Sequence, residues 1–211
     1  VTNTSHDLFI TDVSSGSSAP LPGGDGGNDA SWSPNGTVIA FDRFPAGDQS
    51  IYVVPAAGGS RVLVVADALS PEWSPNSQKI AFHRPSDGSI RAVAIDGGGG
   101  VLVAYSGSHP SWSPNGQWIA YISGGDIWKV RLNNAGQPQG APVQVTHGPA
   151  NDGHPSWENN SSTIVYHSDA DGDFDLWLVS ASGGTPTKLT GLLSAGDYDP
   201  NYSKNGKHVA Y

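Results

Sequence analysis

The sequence predicts an all-β protein: a five-bladed β-propeller of four-stranded antiparallel blades, closed by pairing of an N-terminal C–D hairpin with a C-terminal A–B hairpin. Three observations predict it. An aromatic anchor opens five near-identical phrases, at Trp32, Trp73, Trp112, Trp157 and Tyr202. The anchors lie 41, 39, 45 and 45 residues apart, the spacing of repeats that are each one supersecondary unit. A second series of apolar pairs runs out of phase with the first, supplying the outer half of each unit.

The phrases read SWSPNGTVIAF, EWSPNSQKIAF, SWSPNGQWIAY, SWENNSSTIVY and NYSKNGKHVAY. In each, a short apolar run meets a turn and then a run that alternates apolar and polar residues, so the phrase is two antiparallel strands, A and B. Asn35-Gly36, Asn115-Gly116 and Asn205-Gly206 supply the left-handed backbone a tight hairpin needs. The fourth copy, Glu158-Asn159-Asn160-Ser161, lacks Pro and Gly and predicts a looser turn. Seven residues after the anchor stands Ile39, Ile80, Ile119, Ile164 or Val209, and nine after it Phe41, Phe82, Tyr121, Tyr166 or Tyr211.

Strand C begins at Ile51-Tyr52, Ile90-Arg91, Ile127-Trp128 and Leu176-Trp177, with Leu8-Phe9 as the N-terminal counterpart. Gly-rich turns at Gly58-Gly59, Gly97 to Gly100 and Gly183-Gly184 lead into strand D, at Arg61 to Val65, Val101 to Tyr105, Val143 to Thr146 and Thr187 to Thr190. Four strands per unit make one blade. The chain starts with an orphan C–D hairpin (His6 to Pro22) and ends with an orphan A–B hairpin (Asn201 to Tyr211), complementary halves that predict one composite blade.

The phrases resemble the PD40 (WD40-like) repeats of TolB-type propellers, whose pattern is an aromatic anchor, Ser-Pro-Asp-Gly, then an aliphatic–small–aromatic strand. The resemblance covers essentially the whole chain, with Asn where that family usually has Asp in the turn. It implies a single TolB-like propeller domain over residues 1–211, a channel mouth used for protein docking, and a periplasmic or secreted location.

Composition narrows the rest. No apolar run approaches the length of a transmembrane helix, so membrane insertion is not expected. The chain begins at Val1 and contains no Met, which predicts a processed or excised product. Zero Cys excludes disulfides, Cys-ligated zinc and thiol catalysis. A formal charge of −9 opposes nucleic-acid binding through a basic patch. In a propeller the D–A and B–C connections share one face, and Asp25, Asp29, Asp42, Asp48, Asp67, Asp87, Asp152, Asp169, Asp171, Asp173, Asp197 and Asp199 all fall there, offset by Arg43 and Arg84. Lys79, Lys204 and Lys207 lie near the opposite turns. One face is therefore expected to be anionic, either as a binding surface or as loop solubilisation.

Three residues before each anchor stand Asp29, Ser70, His109, His154 and Asp199. Strand A is innermost in a blade, so these positions should rim the central channel. His109, His154, Asp199 and Asp29 together suit a transition metal, and carboxylates alone suit calcium. The competing reading is loop capping. Ten residues after the anchor, His83 and His167 would extend the ring, with Asp42 equivalent in the first phrase. Asp169-Ala170-Asp171-Gly172-Asp173-Phe174-Asp175 places four carboxylates at alternate positions, a candidate calcium cradle that turn chemistry explains equally well. Trp118 replaces Val38, Lys79, Thr163 and His208 of the other copies, and its exposure would suit sugar stacking or a partner contact. No Gly-x-Ser-x-Gly elbow is present, and Gly97 to Gly100 opens no helix that could hold a phosphate.

The expected function is a non-catalytic platform whose acidic face and channel mouth bind a protein segment or a carbohydrate, with a divalent cation, calcium or a transition metal, as the cofactor to test. The alternative is a polysaccharide-active enzyme at the same mouth. It would use Asp29, Asp199 and Asp67 or Glu72 for glycoside hydrolysis, or His109 and His154 around a metal for lyase chemistry. The oligomeric state is left open.

Overall fold

A computed structural model describes residues 7–43, 49–191, 196–203 and 207–211. The expected residues His6, Asp48, Lys204, Asn205 and Gly206 lie outside the described residues. Among the described residues every regular element is a β-strand. An N-terminal hairpin, β1 (Asp7–Thr11) and β2 (Ser18–Asp25), precedes four blades. Blade 1 is β3 (Gly27–Trp32), β4 (Val38–Arg43), β5 (Ser50–Pro55) and β6 (Val62–Ala66); blade 2 is β7 (Leu69–Trp73), β8 (Lys79–Arg84), β9 (Ser89–Ala94) and β10 (Val101–Ala104). Blade 3 is β11 (Ser108–Trp112), β12 (Trp118–Ser123), β13 (Asp126–Leu132) and β14 (Pro138–Gln144); blade 4 is β15 (Asp152–Trp157), β16 (Thr163–Ser168), β17 (Asp175–Ser180) and β18 (Thr187–Lys188). A final hairpin joins β19 (Asn201–Tyr202) to β20 (Val209–Ala210). Each blade is a four-stranded antiparallel sheet in sequence order.

Register repeats from blade to blade. Each anchor sits opposite the residue seven further on: Trp32 faces Ile39, Trp73 faces Ile80, Trp112 faces Ile119 and Trp157 faces Ile164. The aliphatic–small–aromatic pattern of strand B follows from burial on both faces. Ile80 and Phe82 pack toward blade 1 with Trp73, while Ala81 between them faces blade 3. Ile119 and Tyr121 likewise pack toward blade 2, and Ala120 faces blade 4. Large residues fill the interface with the preceding blade, and a small one lets the next blade approach, as period-two alternation in a close-packed stack requires. Two anchors add a bond across the same interface: Trp73 Nε1 donates to the Ser31 carbonyl at 3.1 Å, and Trp157 Nε1 to the Ser111 carbonyl at 3.1 Å, whereas the buried Trp112 Nε1 has no partner among the described residues.

The A–B turns are stapled by side chains. Ser33 Oγ donates to Asn35 Oδ1 at 2.8 Å and accepts from Val38 N at 3.0 Å, an arrangement repeated by Ser74 with Asn76 and Ser113 with Asn115. The fourth turn is not looser. Ser161 N still reaches the Glu158 carbonyl at 2.9 Å, and Ser161 takes the left-handed conformation (φ 57°) that Gly36 and Gly116 take elsewhere.

Closure departs from expectation. β1–β2 and β19–β20 form two separate two-stranded sheets rather than one composite blade. β20 is two residues long where β4, β8, β12 and β16 each have six, so it presents no edge long enough to zip onto β1. β1–β2 packs instead on blade 1, through Leu8, Ile10 and Leu21 against Ile39, Phe41 and Val54. The seam shows in the anchors: Trp73 and Trp157 are 3% and 4% exposed, whereas Trp32, which faces the gap, is 51% exposed.

Candidate functional site

The channel-mouth residues are placed by a bulge that recurs in every blade. Between Asn28 and Ser31, Leu69 and Glu72, Ser108 and Ser111, and Gly153 and Ser156, strand A advances three residues while strand B advances two. The extra residue re-aims a side chain off the ladder. The residue bearing the distortion is the one three before the anchor: Asp29, Ser70, His109 and His154 all have positive φ, between 38° and 52°, as does Asp199. A non-glycine residue with this backbone is uncommon, and four of the five precede Pro, so the conformation must be held from outside.

At two of the five positions a residue ten after the preceding anchor bonds the strained residue itself, and at a third it bonds backbone two residues away. Buried Asp42 accepts the Ser70 N–H at 2.8 Å, His83 Nδ1 pairs with the Gly107 carbonyl at 2.7 Å, and His167 Nδ1 accepts the Asp199 N–H at 3.4 Å. His83 is thus tied to backbone beside the ring, while His167 also borders it.

The five ring positions converge. Ser70 Oγ donates to Asp29 Oδ2 at 3.2 Å, the His109 and His154 rings lie 3.8 Å apart between centroids, and His154 Nδ1 is 2.8 Å from Asp199 Oδ1. Asp29 acts electrostatically on both His109 and His154. Beyond His154 the ring contacts continue to His167, tilted at 5.1 Å, then edge-on to Phe174 and Tyr198 at 5.2 and 5.4 Å, with Phe174 and Tyr198 themselves 5.0 Å apart. Burial, reinforced by the neighbouring His154, pulls His109 down to about 4; burial also lowers His154 and His167, against the pull of Asp199. The mouth at neutral pH is therefore lined by uncharged imidazoles and a carboxylate whose side chain is 65% exposed.

Sequence reasoning gave no role to Phe174 or Tyr198 and took up Glu72 only as a glycosidase candidate. Phe174 and Tyr198 extend the aromatic stack, and Tyr198 is legible only as the neighbour of Asp199. Glu72, the residue before the second anchor, accepts a 2.9 Å bond from Ser31 Oγ across the blade 1–2 interface, and burial raises it to about 7. Its counterparts are Ser31, Ser111, Ser156 and Asn201, which makes Glu72 the one carboxylate of that tier.

The expected metal sets fare differently. Among the described residues, the group of three whose ligand atoms all come within 4.8 Å of one another is Asp171, Asp173 and Asp175, not a set from the histidine ring. Asp169, the fourth carboxylate of the expected calcium cradle, points elsewhere and accepts Asn151 N and Nδ2, each at 2.7 Å. Lys188 Nζ lies 2.5 Å from Asp171 and 2.6 Å from buried Asp175, so a lysine ammonium already sits where a cation would.

The wider acidic face is more compensated than its sequence implies. Arg43 and Arg61 pair with Asp25, Arg84 with Asp67, and Arg91 with Asp87. Asp67 also accepts the Ser86 N–H at 3.1 Å. Trp118 is not the open platform expected of it: Lys129 Nζ covers its ring at 4.1 Å from the centroid, and it packs against the blade 3–4 core.

Face-to-face four-stranded sheets whose innermost strands bulge toward a common centre define a β-propeller. The TolB beta propeller domain family (PD40) matches residues 68–211, and the chain belongs to that family. It is similar to the uncharacterized protein Atu1656 of Agrobacterium fabrum, 27% identical over 187 residues that span 87% of this chain and 50% of the relative. The chain thus spans about half the length of the curated relative it matches. Among solved structures it is similar to a putative TolB from Agrobacterium tumefaciens (TM-score 0.74, 23% identity, 87% of this chain and 73% of that one). It is also similar to TolB from Acinetobacter baumannii (TM-score 0.79, 19% identity, 97% of this chain and 53% of that one).

Proposed function

We propose that this TolB-family propeller is a non-catalytic docking module, one domain over residues 1–211, that receives a protein segment at the channel mouth rimmed by Asp29, Ser70, His109, His154 and Asp199. The observation that carries the reading is the gathering of five positive-φ residues, one from each repeat and four of them at bulges, with exposed carboxylate at the edge. Such a site is built by the repeat itself and needs no added loops, as a rigid ring that presents adaptable side chains would be. The family's TolB members make a periplasmic or secreted location the natural one.

The test is carbodiimide cross-linking of the purified chain to a periplasmic or secreted fraction of its source, beside an Asp29→Lys plus Asp199→Lys variant. The wild type should capture a defined protein and the variant should not. Equal capture by both removes the mouth from the interaction. Saturable glycan-array binding, or turnover of a uronan, replaces the docking module with a carbohydrate protein.

A further inference from the structure

We propose that the channel mouth is an arginine receptor: it takes a guanidinium from the docking segment between Asp199 and the aromatic wall of His154, His167, Phe174 and Tyr198. The inference rests on the docking reading and names the chemistry of its ligand.

Four features point to a planar cation. The wall is continuous, with neighbouring ring centroids 3.8 to 5.4 Å apart from His109 through His154 and His167 to Phe174 and Tyr198. Aromatic faces attract cations, and a guanidinium stacks flat on them where an ammonium cannot. Second, the imidazoles in the wall stay neutral, because burial disfavours their charged forms, so they do not repel a cation. Third, Asp199 spends one oxygen on His154 Nδ1 and keeps a largely exposed carboxylate, the partner a guanidinium fork takes.

The fourth feature is what the face lacks. Among the described residues, the ion-paired Arg and Lys side chains are held by Asp25, Asp67, Asp87, Asp171 and Asp175, and none by Asp29 or Asp199. The ring carboxylates are left for a cation from outside. A basic residue entering here meets a carboxylate and an aromatic surface together.

The experiment follows the imidazole ring protons of the whole chain by NMR during titration with three end-blocked tripeptides: Gly-Arg-Gly, Gly-Lys-Gly and Gly-citrulline-Gly. The arginine peptide should shift the His154 and His167 signals saturably. Lysine should bind about fivefold more weakly or worse, and citrulline, which keeps the shape without the charge, should leave the signals in place. Asp199→Asn and Tyr198→Leu should each weaken the arginine response by about fivefold. Equal response to citrulline, no response to arginine, or an unchanged response in Asp199→Asn overturns the proposal. The wild-type peptide comparison stands even if a variant fails to fold. A stoichiometric response to Zn²⁺ with none to arginine also overturns it and assigns the ring to a metal. If cross-linked capture is still lost in the Asp29→Lys plus Asp199→Lys variant while the arginine peptide is silent, the docking module survives and only its arginine specificity falls.

Discussion

His154 Nδ1 and Asp199 Oδ1 lie 2.8 Å apart, joining the fourth repeat to the fifth at the channel mouth. A carboxylate at that nitrogen places the imidazole proton on Nδ1 and leaves Nε2 an acceptor. We expect ¹⁵N–¹H correlation spectra at pH 7 to show His154 as the Nδ1–H tautomer, and Asp199→Ala to convert it to a mixture dominated by Nε2–H. Stability should change by less than about 1 kcal/mol, because the carboxylate is mostly in solvent. A larger loss would mean that β19–β20 depends on this bond to dock.

The anchors are equivalent in sequence but not in burden. Trp73 is 3% exposed, fills the blade 1–2 interface and bonds the Ser31 carbonyl, whereas Trp32 is 51% exposed at the seam. Urea denaturation should show Trp73→Ala destabilised by about 3–5 kcal/mol, the range for an aromatic lost from a packed interior. Trp32→Ala should cost under about 1 kcal/mol. Equal losses would show that another strand covers Trp32 in solution.

Glu72 should make stability fall as pH rises. Burial lifts its carboxyl from the ordinary 4.5 to about 7. Between those values the folded chain holds a proton that the unfolded chain has released. The group's favourable contribution is therefore complete below about 4.5 and is lost as pH climbs through about 7. Asp42, lifted by burial to about 6, acts in the same sense, and His109, pulled down to about 4, acts in the opposite one. Only a single-site comparison separates them. Glu72→Gln keeps a hydrogen-bonding partner for Ser31 and removes the charge, so it should exceed wild type by roughly 1–3 kcal/mol at pH 8 and match it near pH 4.5. Parallel wild-type and variant curves would place the Glu72 carboxyl in solvent.

Much of this was legible because the repeat aligns equivalent positions. Trp73, Ile80 and Phe82 read as equivalent repeat positions from their spacing alone, and counting back three from each anchor picked out Asp29, Ser70, His109, His154 and Asp199 as one series. The bulge that makes the ring converge was not legible, since nothing in Asp29-Ala30 or His109-Pro110 announces a positive φ. Long-range compensation was hidden for a similar reason. Arg61 reaches Asp25 from strand D of blade 1, and Lys188 reaches Asp171 from 17 residues downstream, so counting charges by loop overstated the free acidity. Closure failed for want of length: the phrase at Tyr202 matches its siblings in pattern, but β20 pairs over two residues.

Lys188 decides whether the Asp171–Asp173–Asp175 loop can hold calcium. Its ammonium lies within 2.6 Å of two of the three carboxylates, and those two hydrogen bonds, with the attraction of the same carboxylates, hold it firmly protonated. A divalent ion must displace it, while removing it leaves three carboxylates within 4.8 Å of one another and one of them, Asp175, buried. Isolated buried carboxylate is unfavourable, so Lys188→Met should unfold at a lower temperature than wild type in EDTA. Calcium supplies the missing charge to oxygen ligands of the kind it prefers. Millimolar Ca²⁺ should therefore raise the melting temperature of Lys188→Met while leaving wild type where it was, and Lys188→Met combined with Asp173→Asn should lose most of that rise. A calcium-dependent shift in wild type equal to that of the variant would show that the lysine is no substitute for the ion and that the loop binds calcium with Lys188 in place.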